Sequence, residues 1–456
     1  MKEAEKMNNR TLRFVLLSLF PLILCTPLVV HAQWIPQYRN RQLRLGSLLR
    51  RHPHHGNMKR ALVSSLILFV LTGFSFGGVW DLEQTPATAT FYGAYNDDHL
   101  GTGMAVGDVN GDGQLDLLLS ASGWDPDSTT QYLWGIAYLF YGGSLLGAKD
   151  LRRDSADFTV VGYPDGAHLG VSAAIGDVNG DGKGDLIIGT AVARGESLPG
   201  VVVFFGSDLR GTIRLPGNPP DYAIYPPGLG FDVGSGLTVG DVNGDGIGDI
   251  IMPAPFSHGP NNRDDCGAVY IVYGSQGLSG RRDLAVDSAD ITIYGADAHD
   301  ELGFRGAQDP PVSVGDVNSD GIGDLVVTAF GADGPGNSRG EMTGEAYVFY
   351  GGSLPRIWDL NVRPADLIVY GKRSGSSLDV GVIGDVNGDG YGDIFLGSEG
   401  EAGTGEAYLL YGGNPPPRGV KDLAVDSVDY TIVGVDTKLK EVQKDVSFYL
   451  RGSCPA

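Results

Sequence analysis

Cysteine is scarce. Cys25, Cys266 and Cys454 are the three in 456 residues, too few for a disulfide framework, and no CxxC pair exists to hold zinc. Long apolar runs are also missing. The two longest, Val15 to Val30 and Ala61 to Phe76, are short for a membrane span and lack a strong stop-transfer flank. Positive charge is confined to the start: residues 1–79 hold 11 Lys+Arg against 2 Asp+Glu, and the rest holds 22 against 53. That acidic remainder repels nucleic acid and anionic membrane and attracts cations. Helical periodicity is absent as well; apolar residues come in runs of four to seven bounded by glycine, of which there are 71. Short Val-, Ile-, Tyr- and Phe-rich runs between tight turns predict an all-β chain.

Both N-terminal apolar runs follow basic residues and exit into small ones, the pattern of a signal peptide. Residues 1–57 read as an over-extended frame carrying a first signal-like segment, and 58–77, from Met58, as the signal peptide. An N-terminal membrane anchor is the alternative. Export to an extracellular or cell-surface location is expected, with membrane contact only if a leader is retained as an anchor.

One heptad dominates the rest. GDVNGDG stands at Gly107 to Gly113 and returns at Gly176, Gly240 and Gly384, with GDVNSDG from Gly315. Its first aspartates, Asp108, Asp177, Asp241, Asp316 and Asp385, are 64 to 75 residues apart, the mark of an array or closed ring of similar units. A small-residue run precedes each heptad, an apolar run follows it, and two more come before the next, such as AYLFYGG from Ala137 and DFTVVG from Asp157. Four strands per unit predict a β-propeller of four-stranded antiparallel blades, five with the acidic loop plus a partial sixth. The partial blade rests on ATFYG, Ala89 to Gly93, an outer strand without its own blade. The propeller is expected over 80–434; residues 435–456 abandon the pattern. Tandem sandwich domains fit less well, because 69 residues is small for one and no linkers separate the copies.

Extended to nine residues, the motif is D-V-N-G-D-G-x-x-D. Oxygen-bearing side chains at positions 1, 3, 5 and 9, with the carbonyl of position 7, suit Ca²⁺. The expected ligands are Asp108, Asn110, Asp112, Gln114 and Asp116; Asp177, Asn179, Asp181, Lys183 and Asp185; Asp241, Asn243, Asp245, Ile247 and Asp249; Asp316, Asn318, Asp320, Ile322 and Asp324; and Asp385, Asn387, Asp389, Tyr391 and Asp393. The opening resembles an EF-hand, but position 12 is Leu119, Ile188, Met252, Val327 or Leu396 rather than Glu, and a strand follows. The loop therefore joins two strands. A metal-free Asx turn is the alternative.

With these loops the chain resembles the FG-GAP repeat family, the propeller of integrin α subunits, over about residues 88–434. The FG element corresponds to Leu100-Gly101, Leu169-Gly170 and Val233-Gly234. It is displaced around Leu302-Gly303 by FRGAQDPP and not recognisable at Ser377-Leu378. The GAP element corresponds to Ser120 to Ser122, Gly189 to Ala191, Pro253 to Pro255, Thr328 to Phe330 and Gly397 to Glu399. The resemblance implies Ca²⁺ bound between the first two strands of each blade, and a seven-bladed ring where this chain shows five loops.

No catalytic constellation stands out. GFSFG at Gly73 to Gly77 falls in the leader, His99 and His168 share one repeat position, and His258 and His299 have no evident partners. The expectation is a non-enzyme: an exported, calcium-binding adhesion or ligand-binding module that takes a protein or glycan at a loop face. That face is built from the insertions at Gly123, Ser257 and Gly331, with Trp124 and Trp134 as candidate contacts. A carbohydrate-active or phospholipase-associated propeller enzyme is the alternative.

Overall fold

A computed structural model describes residues 89–433 apart from 127–132, 144, 165, 192–197, 229–232, 305–310 and 399–404, together with Ala87 and the strand Val30–Ala32. The leader readings, the tail from 435, Cys25, Cys454 and residues 305–310 of the FRGAQDPP insertion lie outside the described residues. The described chain is strand and turn, with one 3-10 turn, Pro335–Asn337.

Five similar units follow one another. In the first, strands Leu100–Gly107, Asp116–Ala121, Ile136–Phe140 and Phe158–Val161 pair antiparallel in chain order. The other four repeat this arrangement, ending with Leu378–Gly384, Asp393–Ser398, Glu406–Leu410 and Tyr430–Val433. The heptads fall between first and second strands, and the long insertions between second and third, as expected.

The sheets differ from the expected four-stranded antiparallel form in one respect. Between its third and fourth strands each unit sends a short strand to the preceding sheet, where it pairs parallel with the outermost strand. Gly211–Arg214 pairs with Phe158–Val161, Gly280–Asp283 with Tyr222–Tyr225, Ile357–Asp359 with Ile291–Tyr294, and Gly419–Asp422 with Leu367–Tyr370. Four sheets thus have five strands and the last has four. Ala89–Tyr92 receives Gly147–Asp150 in the same parallel way, which makes it an outer strand, as the sequence suggests.

The lent strands pass unnoticed in the sequence because they are short, polar and mostly exposed. A leucine fixes each one: the amides of Leu151, Leu215, Leu284, Leu360 and Leu423 donate to the outer strand's last carbonyl, at Tyr92, Val161, Tyr225, Tyr294 and Tyr370. Gly-x-x-Asp-Leu is the signal in three of the five; Arg214 replaces the Asp before Leu215, and Arg356 replaces the Gly before Leu360.

Packing explains why the inner strands read as unbroken apolar runs. A strand alternates its side chains between two faces, and here both faces are covered. Leu186 and Ile188 of the second unit meet Leu118 and Leu139 of the first, while Ile187, Val201 and Val203 meet Ile250 and Met252 of the third. The same exchange joins the third unit to the fourth and the fourth to the fifth. First strands lie side by side in order, Leu100–Gly107 next to Ala173–Gly176 and so on to Leu378–Gly384. Among the described residues no comparable adjacency links the fifth back to the first. The far face of the fifth sheet is thinly covered, with Phe395 and Leu409 buried but Val382, Tyr411 and Tyr430 only partly so.

Candidate metal centres

Each heptad is a turn held by its own carboxylates. Asp108 Oδ1 accepts the amides of Gly111 and Asp112 at 2.8 and 3.1 Å, and Oδ2 accepts that of Gly113 at 2.8 Å. Asn110 Oδ1 accepts the Asp112 amide at 2.9 Å, and Asp112 Oδ1 the Gln114 amide at 2.8 Å. Gly111 and Gly113 have φ of 75° and 83°, the left-handed region that glycine enters without penalty. Ser319, the one departure, adopts it at φ 57°.

Position 9 works differently. Asp116, Asp185, Asp249, Asp324 and Asp393 have no exposed surface. Asp116 Oδ2 accepts from Val109 and Oδ1 from Gly142, each at 2.8 Å, so one carboxylate ties the loop to the turn after the third strand. Burial pushes Asp249 up to about 7, with repulsion from Asp245 and Asp241 adding to it and the Val242 and Gly274 amides opposing. Asp185 and Asp324 rise to about 6, and Asp116 and Asp393 rise as well, for the same reasons.

The loops are also joined to one another. Gly184 N–H donates to the Asp108 carbonyl at 2.7 Å, Gly248 to Asp177 at 2.7 Å, Gly323 to Asp241 at 2.7 Å and Gly392 to Asp316 at 2.6 Å. A Cβ at Gly248 would come within 2.8 Å of Val239 Cγ1 and 3.0 Å of the Asp177 oxygen. Position 8 is therefore glycine wherever a loop precedes it. The first loop, with none before it, carries Leu115, 65% exposed. Sequence reading treats position 8 as free; the glycine in four copies out of five is the signal for this linkage. The heptad's opening glycine serves the same stacking, since a Cβ at Gly107 would lie 2.3 Å from Ile175 Cγ2.

The structure thus brings the four expected side chains of every loop into one turn, next to the position 7 residue. Among the described residues it does not gather three acidic, histidine or cysteine side chains into a metal-binding cluster. The donor set fits a hard divalent cation: each loop offers three aspartates, an asparagine and a main-chain carbonyl, all oxygen donors. The loop amides meanwhile satisfy the carboxylates at positions 1 and 5, so the turn also has a metal-free form.

Other expected positions are clarified. His99, His168, Glu301 and Ser377 all have positive φ, 57°, 47°, 53° and 47°, immediately before a leucine that is partly buried at Leu100 and fully buried at Leu169, Leu302 and Leu378. The histidines are therefore turn residues. The FG element that is unrecognisable at Ser377-Leu378 keeps the backbone and burial of its equivalents. Trp124 is 8% exposed and packs in the core with Leu119 and Phe140, so it is not a surface contact; Trp134 packs against the same cluster. His258 and His299 do have partners: Nδ1 of each lies 3.8 and 3.9 Å from Asp265.

With this geometry in view, the FG-GAP repeat family model matches residues 100–134, 169–197 and 233–272. The chain carries FG-GAP repeats. Among relatives, phosphatidylinositol-glycan-specific phospholipase D of Homo sapiens is 32% identical over 56% of this chain and 30% of its own length. Integrin alpha-PS2 of Drosophila melanogaster is 25% identical over 69% and 22%. The repeat chain therefore spans under a third of these relatives. Among solved structures, rhamnogalacturonan lyase YesW superposes with a TM-score of 0.34 at 17% identity, covering 68% of this chain and 50% of that one.

These relatives correct one expectation. The chain was expected not to be an enzyme, yet phosphatidylinositol-glycan-specific phospholipase D from four mammals stands among its relatives and points to an enzyme family. The inference from a missing triad fails because a repeat scaffold says nothing of chemistry carried elsewhere in a longer relative. No helix among the described residues is long and apolar enough to cross a membrane.

Proposed function

We propose that this chain is an exported, calcium-loaded β-propeller that recognises a ligand through its insertion loops. The observation that carries calcium is one turn repeated in five loops, each with three aspartates and an asparagine at fixed spacing and the position 9 aspartate buried. Binding would turn Asn110 and Asp112, and their counterparts, away from the loop amides; Asp108, Asp116 and the Gln114 carbonyl complete the set. The ion would supply charge compensation and stiffness. Because the heptads start the second strands and the insertions follow their ends, cation and ligand occupy opposite rims, and calcium is structural. Calorimetric titration should find five sites; no binding at millimolar Ca²⁺ would overturn the reading.

For the ligand, the integrin relatives favour a protein, and a glycan is the alternative. The phospholipase D relatives favour a second role: a recognition module that accompanies an active centre acting on a lipid-anchored glycan. Binding to an adhesion ligand and to a phosphatidylinositol-glycan, each with and without chelator, separates the two. In either case the blades form a ring or an arc of at least five.

A further inference from the structure

Lent strands cover the outer edges of the first four sheets, and Gly147–Asp150 covers Ala89–Tyr92. All five lent strands are thereby placed. Among the described residues nothing covers Tyr430–Val433, the outer strand of the fifth sheet. Every lent strand runs into an Asp-Leu or Arg-Leu pair, and the sequence from 435 to 456 holds neither. The bare edge shows in its burial. Phe158, Tyr222, Ile291 and Leu367 begin the four covered outer strands and are buried, while Tyr430 is only partly so. Val161 is 1% exposed and its counterpart Val433 47%.

The edge is fit to pair. Lysine, proline and a bulge blunt an edge strand, and Tyr430–Val433 has none of them. The covered strands show which main-chain groups it offers. Gly211 N–H donates to the Asp157 carbonyl at 3.0 Å, and Leu215 N–H to the Val161 carbonyl at 3.0 Å. Thr292 N–H in turn donates to the Arg356 carbonyl of a lent strand at 2.8 Å. The counterparts in the fifth sheet are the Asp429 carbonyl, the Val433 carbonyl and the Thr431 N–H.

The edge also offers a charge beside an aromatic ring, and two units show what that pair takes. Asp157 Oδ2 accepts the Tyr141 amide at 3.0 Å. Its Oδ1 takes Arg210 at 2.8 Å, and that guanidinium, just ahead of the lent strand, lies 4.5 Å from the Tyr141 ring centre. Asp366 repeats the arrangement: Oδ2 accepts the Tyr350 amide at 3.1 Å, and Oδ1 takes Arg418 at 2.5 Å, with that guanidinium 4.6 Å from the Tyr350 ring. In the fifth unit Asp429 Oδ2 accepts the Tyr411 amide at 2.8 Å. The Tyr411 ring meets Tyr430 edge-on at 5.8 Å. Among the described residues no arginine completes this third copy.

We propose that the outer edge of the fifth sheet is a docking site for a partner protein, which adds an extended segment as a fifth, parallel strand and sets an arginine ahead of it on Asp429 and Tyr411. Strand addition draws its affinity from main-chain hydrogen bonds, here those of Asp429, Thr431 and Val433, and its selectivity from side-chain sites. The selective site is the Asp429 carboxylate beside the Tyr411 ring. Charge favours the same occupant: beyond residue 79 the chain carries 22 Lys+Arg against 53 Asp+Glu, so a basic segment is drawn to it and an acidic one repelled. The surface belongs neither to the insertion loops nor to the heptads, and the inference stands whatever those bind.

The test adds a nine-residue peptide, the chain's own 207–215, in which Arg210 leads a lent strand, to the full chain. The Thr431 amide should exchange freely in the unbound chain and slow by at least about tenfold when the peptide saturates it. Affinity should fall about fivefold on Arg210→Ala in the peptide or Asp429→Asn in the chain, the worth of an exposed ion pair with a cation–π contact. Both changes together should cost no more than either alone. No slowing at Thr431, or binding indifferent to both changes, would overturn the docking site. Protection of Thr431 in the unbound chain would overturn the partner as occupant: its loss in Arg451→Ala assigns the edge to residues 435–456, and its loss on dilution to a second copy. Should Asp429→Asn fail to fold, the peptide change alone decides.

Discussion

The glycines of the extended motif have separate duties, and single substitutions tell two of them apart. Ser319 occupies a left-handed position that glycine fills in the other copies. Ser319→Gly should stabilise the protein by about 0.5–1 kcal/mol, the relief of that backbone less the entropy glycine adds to the unfolded chain. Urea denaturation with an unchanged slope would show it. At position 8 the duty is contact. Gly248→Val must push Val239 or the Asp177 carbonyl aside and break a 2.7 Å hydrogen bond, so a loss of about 2–3 kcal/mol is expected. Leu115→Ala at the equivalent place should change stability by under about 0.5 kcal/mol, because Leu115 is 65% exposed and stacks on no earlier heptad. Similar costs at both sites would contradict the chain of loops. The acidic positions were legible in the sequence because Asp and Asn carry oxygen at fixed spacing. Position 8 was not, since a hydrogen bond between loops 70 residues apart leaves only a missing side chain as its trace.

At the level of elements, what could be read followed the apolar payload. Second and third strands such as Asp249–Ala254 and Ala268–Val272 are buried on both faces, so their sequences are continuous and unmistakable. Lent strands such as Gly280–Asp283 bury almost nothing of themselves and exist because a neighbour's edge offers them parallel partners. Their grip is the leucine that follows. Leu284 is 6% exposed among Tyr222 and Tyr270 in the core of the second and third units. Leu284→Ala should cost about 2–4 kcal/mol. It should also raise hydrogen exchange at both Gly280–Asp283 and Tyr222–Tyr225, since the edge strand loses its cover. Exposure of Gly280–Asp283 alone would mean that the outer strand does not depend on its guest. Two ion pairs act alongside these leucines: Arg263 reaches Asp359 at 2.5 Å, and Arg339 reaches Asp422, so an insertion loop clamps the strand lent by the next unit.

For the whole molecule, the repeat length and the composition of each unit reveal the array, whereas its closure depends on a contact between its two ends, which no repeat encodes. Among the described residues the fifth sheet takes no fifth strand, and its far face keeps Val433 47% exposed. An array of this kind has no single core, so its stability is close to a sum of interfaces, each carrying one heptad. Calcium should then act additively. A site with a Kd of about 10⁻⁴ M in about 1 mM Ca²⁺ gains about 1.4 kcal/mol, and five give about 7. With an unfolding entropy of about 2 cal/mol/K per residue over some 350 residues, the melting temperature should rise by about 10 °C. Removing position 1 and position 5 charges from one loop, as in Asp241→Asn with Asp245→Asn, should lower the calorimetric count by one and the thermal shift by about a fifth. If the shift instead vanishes with one loop, the loops bind as a cooperative unit through their Gly-to-Asp hydrogen bonds. If calcium produces no shift in the parent chain, the heptads are turns that their own amides complete.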